Sequence, residues 1–102
     1  MTEHAFDQTL RDDARRLKFL HPGEGPRLDR GLVLALNGAA TYVDGQYWQV
    51  RSATDAEVVY TLLPEGCDCP DRQRAPDGRC KHYWAVYLTH AAHLKETPHV
   101  ED

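Results

Sequence analysis

Apolar residues recur along the first twenty positions at helical spacing. Phe6, Leu10, Ala14, Leu17 and Leu20 follow one another at steps of four, four, three and three, the repeat that lines up one face of an α-helix. Arg11, Arg15 and Lys18 fall on the opposite side at the same spacing. A helix over residues 3–20 is therefore predicted. His21-Pro22-Gly23-Glu24-Gly25-Pro26 stops it, because two prolines and two glycines in six residues make a turn or short linker. A second helix is predicted from Arg27 to Asn37, with Leu28, Leu32, Val33 and Leu36 as its buried stripe and Gly38 as its C-cap.

After Gly38 the pattern changes to strands. Ala40–Val43 and Tyr47–Ser52 flank Asp44-Gly45, a tight-turn signal that joins antiparallel strands. Alternation puts Trp48 and Val50 on one face and Tyr47, Gln49 and Arg51 on the other. Glu57–Leu63 is rich in β-formers and reads as a third strand, ended by Pro64-Glu65-Gly66. A last helix is predicted from Lys81 to Lys95, with Trp84, Leu88, Ala91 and Leu94 packing on the sheet, before Pro98 and a polar tail. The expected fold is α+β: N-terminal helices, a three-stranded antiparallel sheet, a metal-binding loop and a C-terminal helix. In domain terms, residues 1–26 read as an N-terminal helix and linker, 27–95 as a metal-binding domain and 96–102 as tail.

Composition narrows the function. The chain has 102 residues, enough for one domain that buries roughly two-thirds of its unfolded surface. Twelve Lys and Arg stand against sixteen Asp and Glu, a formal charge of −4, which excludes a nucleic-acid coat protein with a large basic excess. Residues 22–66 carry six acids and three bases, so the sheet is the acidic part. No apolar run of about 18 residues predicts a membrane span, and the polar, acidic start lacks signal-peptide features. A cytoplasmic protein is expected. Three cysteines cannot all pair within one chain, and in a reducing compartment they point to metal or catalysis before disulfides.

All three cysteines lie in one stretch: Cys67-Asp68-Cys69, ten residues, then Cys80-Lys81-His82. Four such donors match a closed Cys3His zinc site. In an extended segment residues i and i+2 point the same way, so Cys67 and Cys69 can reach one ion. Two residues apart on a helix point about 200° apart, so Cys80 must precede the final helix and His82 must sit in its first turn. Ala75-Pro76-Asp77-Gly78 supplies the turn between the pairs. Three thiolates and a neutral imidazole leave Zn2+ with one net negative charge. Arg72, Arg74, Arg79 and Lys81, set against Asp68, Asp71 and Asp77, offset it.

The stretch resembles the SWIM-type zinc finger. Cys67-Asp68-Cys69-Pro70-Asp71 and Cys80-Lys81-His82-Tyr83-Trp84-Ala85-Val86 are similar to the bacterial form, in which CxCPD precedes CKHxxAV. The resemblance covers about Leu28 to Leu88. It implies a ββα zinc unit with one structural Zn2+ on Cys67, Cys69, Cys80 and His82. In transposases, chromatin-remodelling ATPases, ubiquitin ligases and recombination mediators the finger is taken to bind DNA or protein. The 102 residues hold no enzyme domain beside the finger, unlike the larger members.

Catalysis is not expected. Four protein donors leave no open coordination position, HExxH is absent, and Cys80 and His82, two apart at a helix start, make a poor nucleophile–base dyad. No small-molecule substrate is implied. Two classes of partner stay open. Arg72, Arg74, Arg79 and Lys81, the densest bases, would contact phosphates of a nucleic acid, with DNA favoured; equally, they would only balance thiolates and aspartates. Alternatively the protein is an adaptor docking through its first helix or through Tyr83 and Tyr87 of its last. The apolar stripe of the first helix must be covered, preferably within the chain. His90 and His93, a step of three apart without a carboxylate partner, read as surface.

A structural zinc contributes on the order of 10 kcal/mol, comparable with the whole stability of a small domain, about 5–15 kcal/mol. Chelation is therefore expected to unfold residues 57–95. Circular dichroism and thermal melts with and without chelator check this; an unchanged melt would contradict it.

Overall fold

A computed structural model describes residues 3–52, 54–55, 57–63 and 66–96. Helix α1 (Glu3–Leu20) leads through a single 3-10 turn (Pro22–Glu24) into α2 (Gly25–Leu36). Strands β1 (Ala40–Val43), β2 (Tyr47–Arg51), β3 (Val59–Leu63) and β4 (Gly66–Cys67) follow. A loop with two 3-10 turns then enters α3 (Lys81–Glu96). The architecture is α+β, as expected. Pro64 and Glu65, read as the end of the third strand, and the tail at 97–102 lie outside the described residues.

The joints follow from local chemistry. At the end of α2, Gly38 takes φ +68° and its N–H donates to the Ala35 carbonyl at 3.0 Å. Ala39 N–H closes the wider ring onto Leu34 at 3.0 Å, so the C-cap is a Schellman motif. The first hairpin turns with left-handed φ at both Asp44 (53°) and Gly45 (67°), which Asp tolerates and Gly adopts freely. Strand order is β1-β2-β3-β4, all antiparallel, with Val50 opposite Tyr60 and Trp48 opposite Leu62.

The sheet has four strands, not the expected three. Gly66 and Cys67 pair back onto Leu63 and Leu62. A reversal this abrupt needs Gly66 at φ +130°, a conformation that residues with a Cβ rarely adopt, with the Arg72 guanidinium lying over it. The first cysteine is thus inside the ladder.

Two cores flank α3. Leu10, Ala14 and Leu17 of α1 pack with Leu28 and Ala35 of α2 and Trp84, Leu88 and Ala92 of α3. Leu34, Ala39, Val50, Ala85 and Val86 form the second core, facing the sheet. The apolar stripe of α1 is thus covered within the chain, by helices, as far as Leu17, while Leu20 at its end is exposed. Trp84 belongs to this helical core and not, as expected, to the sheet contact, which Ala85 and Val86 make instead. Ala92 is buried where Leu94 was expected, and Leu94 is exposed. In α2, Val33 is exposed and Leu34 buried, because that helix also faces two ways. A helix apolar on two sides does not follow a single stripe. Trp48 and Val50 share the inward face, as the alternation predicts. No helix among the described residues is long and apolar enough to cross a membrane.

α2 and α3 approach most closely at Gly31, where a Cβ would stand 2.7 Å from Trp84 Cβ and 2.9 Å from the Lys81 carbonyl oxygen. Alanine for glycine inside an unobstructed helix gains about 1 kcal/mol. Here overpacking of about 1–3 kcal/mol outweighs that gain. Gly31→Ala is expected to lower the melting temperature, read by thermal denaturation; a raised one would show that the helices part freely.

Candidate metal centre

The chain delivers its four donors from two places. Cys67 ends the sheet, paired across from Leu62 in the β3–β4 ladder. Asp68 prolongs that pairing: its N–H donates to the Thr61 carbonyl at 3.1 Å, and its Oδ1 accepts the Thr61 N–H at 3.0 Å. The middle residue of Cys-Asp-Cys therefore fixes the direction in which Cys69 leaves the strand. The loop turns back at Asp77 and Gly78, both left-handed at φ 53° and 74°. Cys80 stands just before α3, and its carbonyl accepts the N–H of Trp84 at 3.2 Å. His82 lies in the first turn of the helix.

The donor atoms of Cys67, Cys69, Cys80 and His82 all lie within 4.8 Å of one another, and all four residues are buried. His82 turns Nδ1 toward the sulfurs, 3.6 Å from Cys67 Sγ and 3.8 Å from Cys80 Sγ. With metal–sulfur and metal–nitrogen bonds of about 2.3 and about 2.05 Å at a tetrahedral angle, sulfur and nitrogen stand about 3.6 Å apart. The donors fit one tetrahedral ion. The Tyr60 ring lies 4.4 Å from the His82 ring and holds it from the sheet side. His82 Nε2 is buried with no hydrogen-bond partner among the described residues. Tyr60, Leu62 and Tyr83 pack around the sulfurs and exclude water.

Charge within the cluster is uneven. The Cys80 thiol is lowered to about 3 by its hydrogen bond with Cys67, helped by His82 and the amide of Tyr83 at the helix start. Cys67 is pushed up by hydrogen bonding to that same thiolate and by burial, and Cys69 is pushed up first by burial. Burial and mutual hydrogen bonding thus favour the negative charge on Cys80 and disfavour it on Cys67 and Cys69. A cation in the cage removes the repulsion and lets all three ionise.

The predicted bases divide. Arg79 donates to both carboxylate oxygens of Glu24, at 3.0 and 2.6 Å, and lies over the Trp84 ring at 5.7 Å. Arg72 reaches across Gly66, Arg74 is exposed, and Lys81 is half-buried. The pairing with Glu24 takes Arg79 out of the predicted cluster. Sequence reasoning missed Glu24, only 4 % exposed. The Arg79 guanidinium holds its carboxyl below the usual carboxylate range. Arg27 does the same for Asp71, at 2.9 Å through each of two nitrogens. Nothing in the linker Pro22–Pro26 marks Glu24 as buried. A lone acid among turn residues reads as surface until Arg79, 55 residues on, is seen to meet it.

Of the remaining candidates, Tyr83 is half-buried between the sulfurs and Trp84, while Tyr87 is exposed. His90 is exposed and meets Trp48 edge-on at 5.9 Å. The His93 ring lies tilted against Phe6, centroids 5.0 Å apart. Searched against protein-family models, curated proteins and solved structures, the chain matches none.

Metal entry requires three thiolates, of which Cys80 supplies one already ionised. Binding near neutral pH is therefore expected to release the two protons of Cys67 and Cys69, so affinity rises by about two decades per pH unit and falls on acidification. Titration calorimetry in buffers of different ionisation enthalpy counts the protons; release of fewer than one would contradict this charge distribution.

Proposed function

We propose that the protein is a SWIM-type, non-catalytic zinc module that docks a protein partner. The buried, closed Cys3His donor set carries the first half of this reading. Sulfur-rich tetrahedral coordination favours Zn2+ among common divalent ions, and the sulfur–nitrogen separations of 3.6 and 3.8 Å suit it. The resemblance of CxCPD and CKHxxAV to the SWIM motif agrees with the ββα order of β3, β4 and α3. Four protein donors leave a bound ion no position for substrate or activated water, so its work is to pin strand to helix.

The partner half rests on a groove. Trp48 and Leu62 of the sheet and Tyr83, Tyr87, His90 and Leu94 of α3 line an open, almost wholly apolar trough of about 330 Å3. Tyr42 at its edge, Tyr87 and Leu94 are exposed. A soluble chain rarely leaves several large apolar side chains together in water unless a surface of matching character covers them. An apolar side chain of a partner segment fits there. This brings Tyr87, the adaptor candidate, ahead of the basic cluster.

Nucleic-acid binding is the second reading, favoured by Arg72, Arg74 and Lys81 along the zinc loop. With Arg79 engaged by Glu24, phosphate contacts by Arg72, Arg74 and Lys81 would give a slope of log affinity against log salt of about −2.7 on duplex DNA. Titrating labelled duplex DNA at two salt concentrations separates the two. The docking reading expects no binding at low salt. It also expects a protein partner from the native host that Tyr87→Asp loses and Arg74→Glu keeps. A salt-dependent DNA affinity that Arg74→Glu abolishes and Tyr87→Asp does not would overturn it.

A further inference from the structure

The two halves of the metal loop are gripped from outside by one short stretch of chain. Asp71 follows Cys69 by two residues, and the Arg27 guanidinium donates Nε to its Oδ2 and Nη2 to its Oδ1, both at 2.9 Å. Arg79 precedes Cys80 by one residue and donates Nε to Oε1 of Glu24 at 3.0 Å and Nη2 to Oε2 at 2.6 Å. Glu24 and Arg27 are three positions apart, closing the 3-10 turn and opening α2. Each ligand pair thus has a two-pronged ion pair to the same helix start.

The geometry of these pairs is specific. Paired guanidinium–carboxylate contacts fix direction as well as distance. Their polarities are opposite, so the halves cannot exchange: the wrong pairing sets Glu24 against Asp71 and Arg27 against Arg79. Glu24 is itself held, since it accepts Trp84 Nε1 at 3.2 Å and Trp84 is buried in the helical core. The support therefore runs from the core, through Glu24 and Arg27, to the residues beside Cys80 and Cys69.

We propose that Glu24 and Arg27 are positioning residues of the metal centre, each setting one ligand pair at coordinating distance through its ion pair. This rests on the reading of the cluster as a metal site. Neither residue lies in the ligand stretch, and each reaches it through its ion pair. Outer contacts of this kind are worth about 10–100-fold in metal affinity elsewhere, and that is the loss expected here.

The test uses the full chain stripped of metal and titrated with Co2+ alone, whose visible d–d bands report the symmetry of its ligands. Arg27→Gln and Glu24→Gln are expected to weaken Co2+ binding about 10–100-fold and to shift and broaden those bands. The exchanged pair Arg27→Asp with Asp71→Arg is expected to recover both. Leu17→Ala, which loosens the helical core away from the loop, is expected to keep the wild-type bands. If Glu24→Gln does not fold, Arg27→Gln carries the test alone. Wild-type bands in Arg27→Gln, with an affinity loss no larger than that of Leu17→Ala, would overturn the proposal. A wild-type chain giving no tetrahedral Co2+ spectrum would overturn the metal reading beneath it, and is told apart by failing before any substitution is made.

Discussion

Everything in this fold turns on two cysteines meeting that belong to different layers. Cys67 closes a β-ladder and Cys80 opens a helix, with twelve residues between them. Each brings a second donor, Cys69 by leaving the strand and His82 by entering the helix. Joining the pairs ties the last strand to the start of α3. The chain between is polar, short of apolar side chains and built of turns. It would have little reason to hold one shape without that tie.

α3 carries the consequences through the molecule. Trp84, Leu88 and Ala92 face the other helices, while Ala85 and Val86 face the sheet. A small domain buries too little surface to be generous with stability. Using one helix in both cores makes the most of it. Gly31 allows α2 to come close enough to complete the first core, and Glu24 brings a charge into its edge without leaving it unpaired. A buried carboxylate that lost its partner would cost about 3–5 kcal/mol. Glu24 is lowered below the usual carboxylate range, so its pairing is fully present above that range and is lost as pH falls through the lowered value. Acid therefore loosens the loop where Arg79 is held, by releasing that guanidinium from Glu24.

Much of this was legible in the sequence where one force acted alone. Helix α1 is amphipathic on one face, so its limits of 3 and 20 could be read from its period. The Asp44-Gly45 turn and the Gly38 cap could be read because left-handed φ has few takers. The four donors could be read because their spacing suits one strand end and one helix start. What escaped needed two elements at once. β4 is two residues long and exists only because Gly66 lets the chain reverse beside Arg72. Trp84 went to the helices because α3 has two apolar sides, and period alone cannot say which neighbour takes which. Glu24 and Arg79 meet across 55 residues, with nothing local to either that predicts the other.

That long-range contact also explains why the basic cluster is less of a surface than its density implies. A base beside a metal loop has three calls on it: the thiolates, a carboxylate elsewhere in the fold, and a partner. Arg79 answers the second, through a pair too enclosed to be exchanged for solvent-exposed phosphates without leaving Glu24 buried and alone. Asp71 is held first by the two-pronged contact of Arg27 from α2, with Arg74 and Lys81 adding a weaker attraction. The charges near the cysteines are thus spent largely on holding the loop to the helices. Along α3, Tyr87 and Leu94 stay exposed beside the apolar groove that Tyr83 helps to line. The first turn of that helix is where the metal donors anchor it, so the wall of the groove is only as firm as the cage at its root.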